Sequence, residues 1–215
     1  MSILVCFALK EEAAPFQKIA DSLRHDHCIL IAGIGRQNAE KSLREHLAAN
    51  SPELVLTCGF AGGLNSDLKL GDVIFESGKR KVKSGILEER LLAAGAKTAK
   101  FFCADRIATT VAEKTALREQ TGADAVEMES AAIHAVCAER RIPCVTVRVI
   151  SDTADEDLPL DFNALSKPDK SLDFGRLFLA IARSPGKIGA LMTLQKKTRF
   201  AAERLAAVLG KIISP

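Results

Sequence analysis

The sequence has no run approaching the roughly 20 apolar residues that a membrane-spanning helix needs, no internal repeat and no low-complexity linker. Its six cysteines (Cys6, Cys28, Cys58, Cys103, Cys137, Cys144) form no CxxC pair and show no histidine at zinc spacing. Several sit inside apolar runs, which predicts buried thiols in a cytoplasmic protein. The four histidines (His25, His27, His46, His134) lack partners at metal spacing and read as solvated or helix-face residues. Neither a metal nor an organic cofactor is implied. The apolar start, Ile3 to Leu9, lacks a basic flank and meets Lys10, Glu11 and Glu12 at once, so it reads as a first strand rather than a signal segment.

What is present is a packed chain. With 215 residues, 47% of them hydrophobic and 27% charged, disorder is excluded and a single α/β domain is expected. For the first 150 residues short apolar runs alternate with helical periodicity, the pattern of a sheet covered by crossover helices. Strands are predicted at 3–8, 28–34, 54–58, 72–76, 99–103, 125–127 and 144–150, and helices near 11–24, 37–49, 110–120 and 130–141. After Asp157 the style changes. Pro159, Pro168 and Pro185 punctuate a segment with two amphipathic stripes, Phe174, Leu177, Phe178 and Ile181, then Leu205, Val208, Leu209 and Ile212. The division expected is a catalytic domain over 1–158 and a basic helical extension over 159–215, packed on that domain.

Four acidic or glycine-rich spots fall at strand ends, where open α/β sheets hold their ligands. Glu11-Glu12 follows the first strand and reads either as chemistry or as dipole-complementing charge at a helix start. Cys58-Gly59-Phe60-Ala61-Gly62-Gly63 reads as a tight turn open to a ligand, but it lacks the Lys-Ser/Thr of a phosphate loop. Glu127-Met128-Glu129-Ser130 ends a strand. Strand alternation puts both carboxylates on one side, a costly pairing unless a base or ligand engages them, and the plainer alternative is a helix start capped by Ser130. Arg148 through Asp155 closes the last apolar strand, where Asp152 could also merely cap a turn.

Taken in order, ALKEEAAPF, AGIGRQNA, TCGFAGGLNSDLKLGDVI, AVEMESAAIHAVC and VTVRVISDTAD resemble the nucleoside phosphorylase and nucleosidase superfamily, in particular its methylthioadenosine/S-adenosylhomocysteine nucleosidases. The stretch from TGADAVEMES through RVISDTADEDLP and the basic tail looks most like the hopanoid-associated phosphorylases, which act on adenosylhopane. The resemblance implies a three-layer sandwich, a mixed twisted sheet flanked by helices, with a C-terminal helical tail. It also implies cleavage of an N-glycosidic bond, releasing adenine from a 5′-substituted adenosine. Such a bond breaks through an oxocarbenium-like cation, so the base must be neutralised, the cation stabilised and a nucleophile delivered. By resemblance, Asp152, held by Ser151, protonates the purine and Glu12 activates water. Glu129 binds the ribose hydroxyls with Met128, Glu127 and Arg148 close by, Ile107 reads the base through its backbone, and Gly59 and Phe60 flank the site.

Two departures from the family shape these expectations. Thr57 and Phe60 stand where phosphorylases place anion-binding groups, and no early Gly-Asp-Pro-x-x-Arg segment exists, which favours water over phosphate; Lys10 keeps phosphorolysis open. Between Asp72 and Cys103 the lid of the classical nucleosidases is cut to a charged stretch, 79–89, and a short helix, which favours a bulky 5′ substituent. A catalytically inactive nucleoside-binding or membrane-recruited protein is the remaining alternative. Relatives suggest a homo-oligomer, most simply a dimer, although the shortened segment removes part of the usual dimer surface. The charge is also uneven. From Phe174 onward eight bases face one acid, whereas the rest of the chain is net negative, for a total of +3. Only Phe174, Phe178 and Phe200 interleave with these bases, so a nucleic-acid partner is not expected. The tail reads either as a solvated helix face or as peripheral contact with an anionic inner membrane.

Overall fold

The computed structural model describes residues 2–21, 27–77, 84–165 and 185–213. The stripe expected at Phe174 to Ile181 and part of the charged stretch 79–89 lie outside them. Eight strands form one mixed sheet: β1 (Ile3–Phe7), β2 (His27–Ile31), β3 (Leu54–Gly63), β4 (Val73–Ser77), β5 (Lys97–Thr98), β6 (Phe101–Cys103), β7 (Ala125–Glu127) and β8 (Cys144–Asp152). The main order is β2-β1-β3-β8-β4-β5, and β7 joins the far end of β3 and carries β6. β1, β2, β3 and β8 run parallel, whereas β4 meets β8 antiparallel.

The sheet is sandwiched because its strands alternate. Ile3, Val5 and Phe7 of β1, Leu54 and Leu56 of β3, and Val145, Val147 and Val149 of β8 enter one core. Leu4, Cys6 and Val55 enter the other. The first core is closed by α1 (Lys10–Ala20) and by a long helix that we number α6 (Ile188–Ile213). The second is closed by α2 (Arg36–Ala49) and α5 (Ser130–Arg140). Two further helices, α3 (Ser84–Ala93) and α4 (Val111–Thr121), complete the α-helices among the described residues. α4 starts at Thr110, whose hydroxyl accepts from Glu113 N–H at 3.2 Å, and stops at Gly122 in the left-handed region at φ 63°.

The C-terminal stripe is part of one continuous 26-residue helix. Leu205, Val208, Leu209 and Ile212 are all buried in the main core, alongside Ala201 and Ala206. α6 therefore does the work of a core helix over its second half. Among the described residues no helix is long and apolar enough to cross a membrane.

Three local expectations are corrected. Residues 28–34 end as a strand at Ile31 and turn before α2. The strand expected at 99–103 starts only at Phe101, and the unexpected two-residue β5 precedes it with both side chains exposed. The glycine-rich stretch 58–63 is not a turn: β3 runs straight through it to Gly63 and pairs with β8 and β7.

Candidate active site

β8 buries all nine of its residues, polar ones included. Its register against β3 pairs Ala61 with Ile150 and Gly62 with Asp152, so Ser151 is an extra residue, a bulge. The bulge re-aims the strand end. Ser151 and Asp152 are both buried, and the Ser151 hydroxyl donates to Asp152 Oδ1 at 2.8 Å. The break in alternation at Ser151 brings its hydroxyl to the Asp152 carboxylate.

Arg148, four residues upstream and 1% exposed, gathers the carboxylates. Its Nη2 donates to Glu127 Oε2 at 2.6 Å, Glu129 Oε2 at 3.3 Å and Thr57 Oγ1 at 3.3 Å, while Nη1 donates to the Cys58 carbonyl at 3.3 Å. Burial opposes its charge, but Glu127, Glu129 and Glu12 outweigh burial and raise its pKa. Glu127 and Glu129 do converge, though not by strand alternation: the strand stops at Glu127, and Glu129 is already the first boundary residue of α5. Nor does Ser130 cap the helix. Glu127 does, accepting from the N–H groups of Glu129 at 3.0 Å and Ser130 at 2.7 Å and from the Ser130 hydroxyl at 2.6 Å.

One guanidinium cannot offset three buried carboxylates, and their proton affinities separate accordingly. Burial would raise all three. For Glu127 the Arg148 charge and the Ser130 bonds win, and its pKa lies below the ordinary value. Glu129, bonded to Gly35 N–H at 2.9 Å but repelled by Glu127, lies above it. Glu12 is pushed up by burial to about 7, despite Arg148 and its backbone bonds. Those bonds fix its place: Oε2 accepts from Ala8 N–H at 3.0 Å and Leu9 N–H at 2.9 Å, and Oε1 from Phe60 N–H at 2.8 Å.

Gly59 is where this crowding is felt. At φ 145° it lies in the positive region, and a Cβ there would stand 2.7 Å from both Arg148 Nη1 and Glu12 Oε1. Its glycine clears space for two charged side chains rather than for a turn.

Ile107 lines the same cavity. Its N–H donates to Asn163 Oδ1 and its carbonyl accepts from Asn163 Nδ2, both at 2.9 Å. The cavity, about 830 Å³, is lined by the buried polar groups Glu12, Glu129, Ser151 and Asp152. It is also lined by the first half of α6, including Ile188, Leu191, Met192 and Gln195, of which Ile188 and Met192 are exposed. Met128, Phe60 and Arg106 also line it, whereas Arg148 and Gly59 stand behind the wall.

Sequence reasoning missed three contributors. Asn163 and the α6 wall lie in the segment treated as an extension. Lys114, 0% exposed, bonds Asp152 Oδ2 at 2.7 Å; a lysine among polar helix residues carries no sequence signal of burial.

Comparison with known proteins agrees with this architecture. The Phosphorylase superfamily profile matches residues 86–183. A 5′-methylthioadenosine/S-adenosylhomocysteine nucleosidase from Shewanella pealeana is 28% identical over 166 residues, 61% of this chain and 70% of that protein. The Helicobacter pylori nucleosidase of the same name, solved with butyl-thio-DADMe-Immucillin-A, superposes with a TM-score of 0.73 at 19% identity, covering 99% of this chain and 97% of that one. Futalosine hydrolase from Helicobacter pylori superposes at 0.72 with the same identity and coverage. The sheet order, the flanking helices and the matched sequence agree: the chain is similar to proteins of the phosphorylase superfamily and shares the fold of its nucleosidases.

Proposed function

We propose that the protein is a purine nucleosidase that cleaves the N-glycosidic bond of a 5′-substituted adenosine with water, releasing adenine. The observation that carries this reading is one cavity lined by Glu12, Glu129 and Asp152. Glu12, with its pKa near 7, is matched to removing a proton from water at neutral pH. Asp152 delivers a proton to the departing purine, and Glu129 receives the ribose hydroxyls. Ile107 presents a backbone donor and acceptor side by side, now met by the Asn163 carboxamide; a purine edge offers the same pair and would replace it.

Water is preferred over phosphate because the two turn positions that hold anion-binding groups in phosphorylases, Thr57 and Phe60, are spent. Phe60 N–H serves Glu12, and Thr57 Oγ1 serves Arg148. A phosphate beside Glu12 would meet a carboxylate. The 5′ substituent is long and apolar, of the adenosylhopane type, because the cavity continues along Ile188, Leu191 and Met192. Exposed Ile188 and Met192, with Lys187, Lys196 and Arg199 on the same helical stretch, suit contact with an anionic bilayer.

The test is base release from adenosylhopane, methylthioadenosine, S-adenosylhomocysteine and futalosine, with and without phosphate, using vesicle-borne adenosylhopane. Adenine and free sugar are expected without phosphate, and Asp152→Asn should lower release by roughly 100-fold or more. Sugar 1-phosphate as the product, or full activity in Asp152→Asn, would overturn the reading.

A further inference from the structure

Lys114 has no part in the reaction set out above, yet it is the one buried residue of the eleven in α4. An inward helix position is normally filled by a hydrophobe, and burying an ammonium is costly unless its charge and all its protons are met. Here the charge is met by Asp152, whose Oδ2 lies 2.7 Å from Nζ in an ion pair. Nζ also donates to the carbonyls of Thr153 at 2.7 Å and Glu156 at 2.9 Å, both in the loop that follows Asp152. Leu or Met in this position would fill the space without the desolvation cost, so packing alone does not explain a lysine.

The lysine instead completes the hold on Asp152. Ser151 takes Oδ1 and Lys114 takes Oδ2, which fixes the plane of the carboxyl group that lines the cavity. Gly62 leaves room for it, since a Cβ there would stand 3.2 Å from Oδ2. We propose that Lys114 is a positioning residue for leaving-group protonation, an inference that rests on the nucleosidase reading. As the C1′–N9 bond breaks, its electron pair goes to the purine, and N7 takes the proton of Asp152. The carboxylate left behind is offset by the Lys114 ammonium beside it. Water attacks C1′ and gives its proton to Glu12, and exchange with solvent restores Asp152 for the next turnover. Lys114 thus lowers the energy of the state after proton transfer without touching substrate.

The experiment compares wild type and Lys114→Met on two substrates with the same 5′ group: a purine nucleoside, and the 4-nitrophenyl riboside, whose phenolate leaves without a proton. The expected result is a kcat loss of roughly 100-fold on the purine nucleoside and at most about fivefold on the nitrophenyl riboside, with KM little changed. An equal loss on both substrates would show a structural role only and overturn the proposal, as would no loss on either. If Lys114→Met does not fold, Lys114→Gln, which keeps a donor and removes the charge, is read by the same ratio. Wild-type protein that cleaves no purine nucleoside sinks the nucleosidase reading itself; an active wild type with an unselective variant sinks this inference alone.

Discussion

At the inner end of the cavity Glu12, Glu127, Glu129 and Arg148 hold one another and the backbone through short bonds. At the outer end Ile188 and Met192 of α6 stand 46% and 56% exposed. The inner end is fixed before any ligand arrives, so binding need not reorganise charge there. The outer end offers carbon surface without direction, which measures the bulk of a ligand rather than its pattern of polar groups. Under the proposed nucleosidase reading, chemistry and substrate range fall to different parts of the molecule.

Three changes would break or sharpen that contrast. The largest effect is expected from Arg148→Met, which leaves Glu127 and Glu129 buried without their cation. A loss of about 3–5 kcal/mol should appear in urea denaturation; a loss below about 1 kcal/mol would mean that charge does not organise the inner end. The second effect is on pH dependence. Glu12 must be ionised to accept a proton, and its pKa is raised to about 7. The rate should therefore climb with pH through about 7 and level above it, rather than level near the ordinary glutamate value. The same shift sets a stability term with the opposite trend. A raised carboxyl pKa favours the folded state at low pH, and that advantage is lost as pH rises from the ordinary value through 7. A kcat/KM profile flat between pH 5 and 8 would remove Glu12 as the base. The smallest effect is expected at the outer end. Ile188→Ser with Met192→Ser should leave stability within about 0.5 kcal/mol. The pair should raise KM for a long-chain nucleoside by roughly tenfold, with little change for methylthioadenosine. Equal changes for both substrates would show that α6 does not read the 5′ group.

Much of the fold was legible because short apolar runs such as those of β1, β3 and β8, set between helical patterns, fit a sheet buried on both faces. At strand ends the motifs marked Glu12, Glu129, Ser151 and Asp152, and these four residues line one cavity. The site was illegible where tertiary context reverses a local rule. Glycine normally interrupts a strand, but Gly59 continues β3 because Glu12 and Arg148 fill the space that its side chain would take. Serine is the better helix cap, yet Glu127 reaches the free N–H groups first, because it also serves Arg148. Lysine belongs on the outside of a helix, and Lys114 is inside because an acceptor from the end of β8 and two carbonyls of the following loop await it. Such positions depend on residues that are distant in sequence, and no local window contains them.

The division of α6 has a further consequence. From Ala201 to Ile213 the helix is locked into the main core, and from Ile188 to Thr198 it overlooks the cavity. One rigid rod thus joins a half where substitution unfolds the protein to a half where substitution costs little. A lineage can therefore alter residues near 188–195 and explore new ligands while its folding remains insured by residues farther along the same rod.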